Sequence, residues 1–128
     1  MKTLVFGGDE RNLYLYKILK EEGENVQLTG FSAYETEPVE NIADVSDAVS
    51  GADVIIGPIP FSKGQIINTP WNREQVGMKD FFSSARPGQT LLGGRLNQDA
   101  IKHAREKGVR AADLLECEDL EVLNAIPT

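Results

Sequence analysis

The sequence holds one cysteine, Cys117, and one histidine, His103. A lone cysteine excludes an intramolecular disulfide, has no partner at metal-ligand spacing, and fits a reducing compartment. No run approaches the roughly 18 consecutive apolar residues that a membrane-spanning helix needs. No basic-then-apolar signal segment precedes the first apolar run, so a cytoplasmic location is expected. Basic residues are outnumbered 13 to 20 by acidic ones, for a net charge of −7. That balance argues against nucleic-acid binding, because phosphate contacts require clustered Lys and Arg; its plain role is solubility. H-E-x-x-H, P-loop and G-x-S-x-G patterns are missing, as are internal repeats and low-complexity tracts. A length of 128 residues suits one domain, 1–128, with a proper core.

What is present is an alternation. Lys2 to Gly7 (KTLVFG), Val26 to Phe31 (VQLTGF), Asp53 to Ile59 (DVIIGPI), Gln89 to Leu92 and Val109 to Leu114 read as five buried strands. Between them, helices are expected over 10–22, with Gly23 as C-cap, and over 42–49, 72–85 and 98–107, with Gly108 as cap. Ser32 to Asn41 is an acidic, proline-containing loop, Pro60 to Trp71 a turn-rich excursion with Trp71 as its anchor, and 119–126 helical before Pro127. Such alternation predicts an α/β, flavodoxin-like (Rossmann-like) three-layer domain. Its five-stranded parallel sheet takes the order 2-1-3-4-5, with helices on both faces.

That order places the carboxyl ends of the first, third and fourth strands side by side, where open α/β sheets bind ligands. The turns there are Gly7-Gly8-Asp9, Pro58-Ile59-Pro60-Phe61-Ser62 and Gly93-Gly94-Arg95. The glycines would let backbone amides approach an anion, favoured by the helix dipole at Glu10-Arg11; equally, they serve a tight strand-to-helix turn. They are no dinucleotide fingerprint, since G-x-G-x-x-G needs other spacing and Asp9-Glu10 would repel a pyrophosphate. Asp9 doubles as an N-cap candidate. A phosphoacceptor domain would end its third strand in aspartate, where this chain has Gly57-Pro58, and an FMN site would need a Ser/Thr-rich loop after the first strand. Pro58 and Pro60 make a rigid, kinked exit, with a cis bond one option. Ser62 and Lys63 can meet a polar ligand. Arg11 and Arg95 flank the rim with forks that suit carboxylates, although Arg11 can instead pair with a nearby acid. His103, with Asp99 at i−4, reads as a surface helix residue.

V-F-G-G-D-E-R, A-D-V-I-I-G-P-I-P-F-S, L-L-G-G-R-L and the closing L-N-A-I-P-T together resemble the N-terminal domain of the dipicolinate synthase A-subunit, from the first strand to the last residue. The stretch 32–49 carries no such signal. The resemblance implies the substrate-side domain of an oxidoreductase that oxidises a dihydrodipicolinate-pathway intermediate to pyridine-2,6-dicarboxylate during sporulation. It implies NADP bound by a C-terminal nucleotide-binding domain that would follow Thr128, none bound by this chain alone, and little activity without that domain. It further implies the dipicolinate synthase B-subunit as a partner and the mother cell of a spore-forming bacterium as location. The substrate-binding residues expected are Gly7, Gly8, Asp9, Arg11, Pro58, Pro60, Ser62, Gly93, Gly94 and Arg95, facing a small dicarboxylate, with no catalytic or metal-ligating residue. A homo-oligomer remains open. So do an excised domain or a natural orphan, and a non-catalytic assembly or small-molecule-binding module as the alternative function.

Overall fold

The computed structural model of the chain describes residues 1–114. The helix expected over 119–126, and Cys117, lie outside the described residues. In chain order the elements are β1 (Thr3–Phe6), α1 (Glu10–Glu21), β2 (Val26–Thr29), α2 (Val45–Gly51) and β3 (Val54–Ile56). They continue with β4 (Ser62–Lys63), β5 (Ile66–Ile67), α3 (Met78–Ser84), β6 (Thr90–Gly93), α4 (Gln98–Lys107) and β7 (Arg110–Asp113). Five strands form one parallel sheet in the order β2-β1-β3-β6-β7. This is the expected 2-1-3-4-5 arrangement, so the fold is α/β and Rossmann-like.

Alternation along the strands sends successive side chains to opposite faces. Leu4, Phe6, Ile55 and Leu91 point to one face and join residues of α2, α3 and α4 in the larger core. Val5, Val26 and Leu28 point to the other, under Leu13 and Tyr16 of α1. Four phenylalanines dominate the larger core: Phe81 stacks on Phe6 at 5.1 Å and meets Phe61 and Phe82 edge-on at 5.6 and 4.9 Å. Buried Gln89 ties this layer to the sheet. Its amide donates to the carbonyls of Val49 and Ala52, each at 2.7 Å, and its oxygen accepts from the Arg86 amide. Every polar atom of that side chain is thereby used, as burial requires.

Two sequence expectations, both helix bounds, are corrected. The helix expected over 72–85 begins only at Met78. Polar side chains divert the preceding residues: the Ser32 hydroxyl donates to Asn72 and accepts from the Arg73 amide, while Asn72 donates to the Glu74 carbonyl. Such side-chain bonds compete with a helical ladder. The helix expected over 42–49 runs from Val45 to Gly51, because Asp44 caps it through the Asp47 amide. The excursion 60–71 contains the antiparallel pair β4–β5, turning at Gly64. The acidic loop 32–41 is also tied down, with Glu37 and Glu40 accepting from Lys17 and Lys20 of α1.

Candidate functional site

The carboxyl ends of β1, β3 and β6 share one rim, and the excursion after β3 crosses it. Gly7 and Gly8 adopt φ of +67° and +86°, a region that disfavours any side chain. Their amides do not face outward. Gly7 donates to the Thr29 carbonyl and Gly8 to the Asn68 carbonyl, both at 3.0 Å. A Cβ at Gly7 would lie 2.7 Å from Thr69 Cγ2, and one at Gly8 would lie 2.2 Å from Asn12 Oδ1. The expectation that these amides approach an anion is therefore corrected: the glycines serve a tight turn and close packing. Asn68 and Thr69 of the excursion pack against Gly7 and Gly30, beyond the carboxyl ends of β1 and β2. Nor does the turn fit a dinucleotide, since a pyrophosphate needs available amides at the helix start.

Asp9 is the N-cap of α1, accepting from the Arg11 amide at 2.9 Å. The Arg11 guanidinium folds back onto the same carboxylate, Nη2 donating to Oδ2 at 2.9 Å and Nε to each oxygen at 3.2 Å. That side-chain bond holds the Asp9 carboxyl below its ordinary value. It raises the Arg11 guanidinium in turn. Arg11 itself is largely exposed.

The β3 exit is built by backbone pairing. Pro58 accepts from the Gly94 amide at 3.3 Å, and Gly94 accepts from the Phe61 amide at 2.7 Å. The Ile59–Pro60 bond is cis. Gly94 sits against Ile59, where an added Cβ would be 2.5 Å from Cγ1. Arg95 has φ of +54° and is exposed, with its amide held by Asp113 Oδ1 at 3.1 Å. Ser62 is nearly buried, and its hydroxyl accepts from Asn97 at 3.3 Å. Lys63 is exposed.

A hollow of about 180 Å3 opens beside this rim, lined by Arg11, Asn12, Leu15, Ile56, Ile59 and Leu114. Of the ten expected residues only Arg11 lines it. Typical small-molecule sites occupy about 300–1,000 Å3, so the hollow has the dimensions of part of a cleft. A larger cavity of about 670 Å3 lies between α2, α3 and residues 72–76 and takes in none of the ten. Its charged lining is Asp44, Glu74 and Asp80 against Arg73, a poor match for a dicarboxylate. Among the described residues no group of carboxylates, histidine and cysteine could hold a metal ion, and no helix is long and apolar enough to cross a membrane.

The family profile described as the N-terminal domain of the dipicolinate synthase A-subunit matches residues 2–115. The chain belongs to this family. The dipicolinate synthase A-subunit of Bacillus subtilis (strain 168) is 25% identical over 134 residues, covering 100% of this chain and 44% of that protein. The crystal structure of the same Bacillus subtilis polypeptide aligns with a TM-score of 0.78 at 23% identity, over 99% of this chain and 44% of that one. The dipicolinate synthase A-subunit from Bacillus halodurans gives 0.74 at 19% identity, over 98% and 44%. An NAD-dependent formate dehydrogenase from Staphylococcus aureus, solved in complex with NAD, gives 0.50 at 14% identity, over 98% and 39%. These structural likenesses establish the fold. The chain spans less than half the length of the relatives it matches.

Within this family domain, the residues that organise the rim include three asparagines that carry little signal in the sequence. Asn12 donates to the Gly57 carbonyl at 3.4 Å. Asn68 bonds Phe61 and Pro60 while receiving Gly8. Asn97 caps α4 through the Ala100 amide and holds both Ser62 and the Gly64 carbonyl. Only Asn97 has a local signature, as an N-cap type directly before an expected helix. Gly57, which Asn12 holds, and Gly8, which Asn68 receives, are distant from them in sequence.

Proposed function

We propose that the chain is the substrate-side part of a dipicolinate synthase A-subunit. In that reading it orients a small dicarboxylate precursor for NADP-dependent oxidation to pyridine-2,6-dicarboxylate during sporulation, in the mother cell and with the B-subunit as partner. NADP is held by a C-terminal domain of the longer protein and supplies the hydride-accepting chemistry. Family membership across residues 2–115 carries the proposal. Arg11 is the residue best placed to meet a carboxylate, since it borders the hollow and is exposed. Its fork currently grips Asp9, so an arriving carboxylate exchanges one anionic partner for another. Arg95 stands exposed on the same rim to take the second carboxylate. Pro58, Pro60, Gly93 and Gly94 shape the wall, while Asp9 and Ser62 fix Arg11 and the hairpin. Positioning is what such a domain contributes, and the redox chemistry is the cofactor's.

The experiment is calorimetric titration of NADPH and of pyridine-2,6-dicarboxylate into residues 1–128, and into the chain extended by whatever its reading frame encodes beyond Thr128. Nucleotide binding only by the extended form, with dicarboxylate binding lost in Arg11→Ala while the fold persists, is the expected result. An extended form that ignores NADPH would remove the enzyme reading and leave a binding or assembly module. Unchanged dicarboxylate affinity in Arg11→Ala would remove that residue from the site.

A further inference from the structure

The hollow beside the rim offers polar side chains from Arg11 and Asn12 against an aliphatic lining that includes Leu15, Ile56 and Ile59. Arg11 is the carboxylate partner proposed above; Asn12 has no task beyond a weak tie. Its amide reaches the Gly57 carbonyl at 3.4 Å, longer than the roughly 2.7–3.2 Å of an ordinary N–H···O bond. Its Oδ1 accepts no hydrogen bond among the described residues. No buried side-chain oxygen or nitrogen among them lacks a partner, so this oxygen is open to solvent. An amide side chain can make about four hydrogen bonds, and half-buried Asn12 spends one. Room for the oxygen is left by Gly8, where a Cβ would stand 2.2 Å from it.

We infer that Asn12 is a specificity-determining residue, bonding the ring nitrogen of a pyridine-type 2-carboxylate whose carboxylate Arg11 binds. The inference rests on the substrate-side reading above and deepens it. Arg11 and Asn12 are consecutive on α1, and both border the hollow. In a pyridine-2-carboxylate the nitrogen is bonded to the carbon that bears the carboxylate. A carboxylate on Arg11 therefore brings the nitrogen to the neighbouring side chain and lays the ring on Leu15, Ile56 and Ile59. An amide suits that place because it carries both a donor and an acceptor. It donates to the lone pair of an aromatic ring nitrogen and accepts from the N–H of a reduced one. The same side chain thus serves the ring before and after oxidation.

The test compares pyridine-2,6-dicarboxylate with benzene-1,3-dicarboxylate, which share charge and carboxylate spacing and differ in the ring nitrogen. Calorimetric titration into the 128-residue chain should show about a threefold to tenfold preference for the pyridine, the size of one net hydrogen bond. Asn12→Ala should abolish the preference, whereas Arg11→Ala should lose both diacids. In the unmodified chain the Asn12 side-chain amide resonance should shift with the pyridine diacid and less with the benzene one. That measurement stands even if the variant fails to fold. Equal affinity of the unmodified chain for the two diacids overturns the inference. So does a preference that survives Asn12→Ala, including one in which both affinities fall by the same factor, as a mere tie to Gly57 would produce. Binding of neither diacid by the unmodified chain is the separate result that removes the substrate-side reading itself, and this inference with it.

Discussion

The two faces of the sheet are built to different standards. Under α2, α3 and α4 the core is dry and aromatic, with Phe6, Phe61, Phe81 and Phe82 all at or below 2% exposure. Under α1 the core is smaller and partly closed by loops, since half-buried Tyr34, Val39 and Trp71 complete it. Trp71 meets Tyr34 edge-on at 5.3 Å, and its carbonyl accepts from the Ala33 amide at 2.7 Å. The anchoring role expected of Trp71 is thus fulfilled within the domain. The larger, more fully buried core lies on one face, while the hollow bordered by Arg11 and Leu15 opens beside the other. Sites that bind and move are drawn from the less densely packed end of a structure.

The largest expected effect tests that asymmetry directly. Phe81→Ala should cost about 3–5 kcal/mol, against about 2 kcal/mol for the half-buried Trp71 replaced by Ala. Both are read from urea denaturation midpoints, and equal losses would end the distinction between the cores. Next, Gly94→Ala should cost about 1–3 kcal/mol by overpacking against Ile59. It should not be rescued by ligand, because the defect lies in the wall. Asp9→Ala should cost about 1 kcal/mol through loss of the α1 cap. Asp9→Asn should keep the cap, release Arg11, and tighten dicarboxylate binding in calorimetry.

The sign of the pH effect follows from the depressed Asp9 carboxyl. Its folded value lies below the ordinary 3.8, so its contribution is present above pH 3.8 and is lost as pH falls through the folded value. Acid titration of stability should therefore be flatter below pH 3.8 in Asp9→Asn than in the unmodified chain. The smallest effect expected is at Lys20, whose exposed pair with Glu40 is screened by solvent. Lys20→Ala should leave the thermal midpoint unchanged within error.

Much of this is legible in the chain itself. Apolar runs of strand length, helical spacing with glycine stops, and their strict alternation determine a parallel α/β sheet and its strand order. These signals are local, or follow from right-handed connection of neighbouring units. The start of α1 is legible too, because Asp9 caps from within its own turn. The positions of the rim's turns are legible for the same reason. What they do there is decided elsewhere. The Gly7 and Gly8 amides are consumed by Thr29 and Asn68, residues about 20 and 60 positions away, and no local pattern announces such partners. Likewise Ser32, a loop residue, prevents a helix forty positions on. Periodicity reports which face of an element is apolar, whereas the filling of a crevice depends on which distant backbone arrives there with an unpaired carbonyl. The first is written residue by residue; the second exists only once the chain has closed on itself.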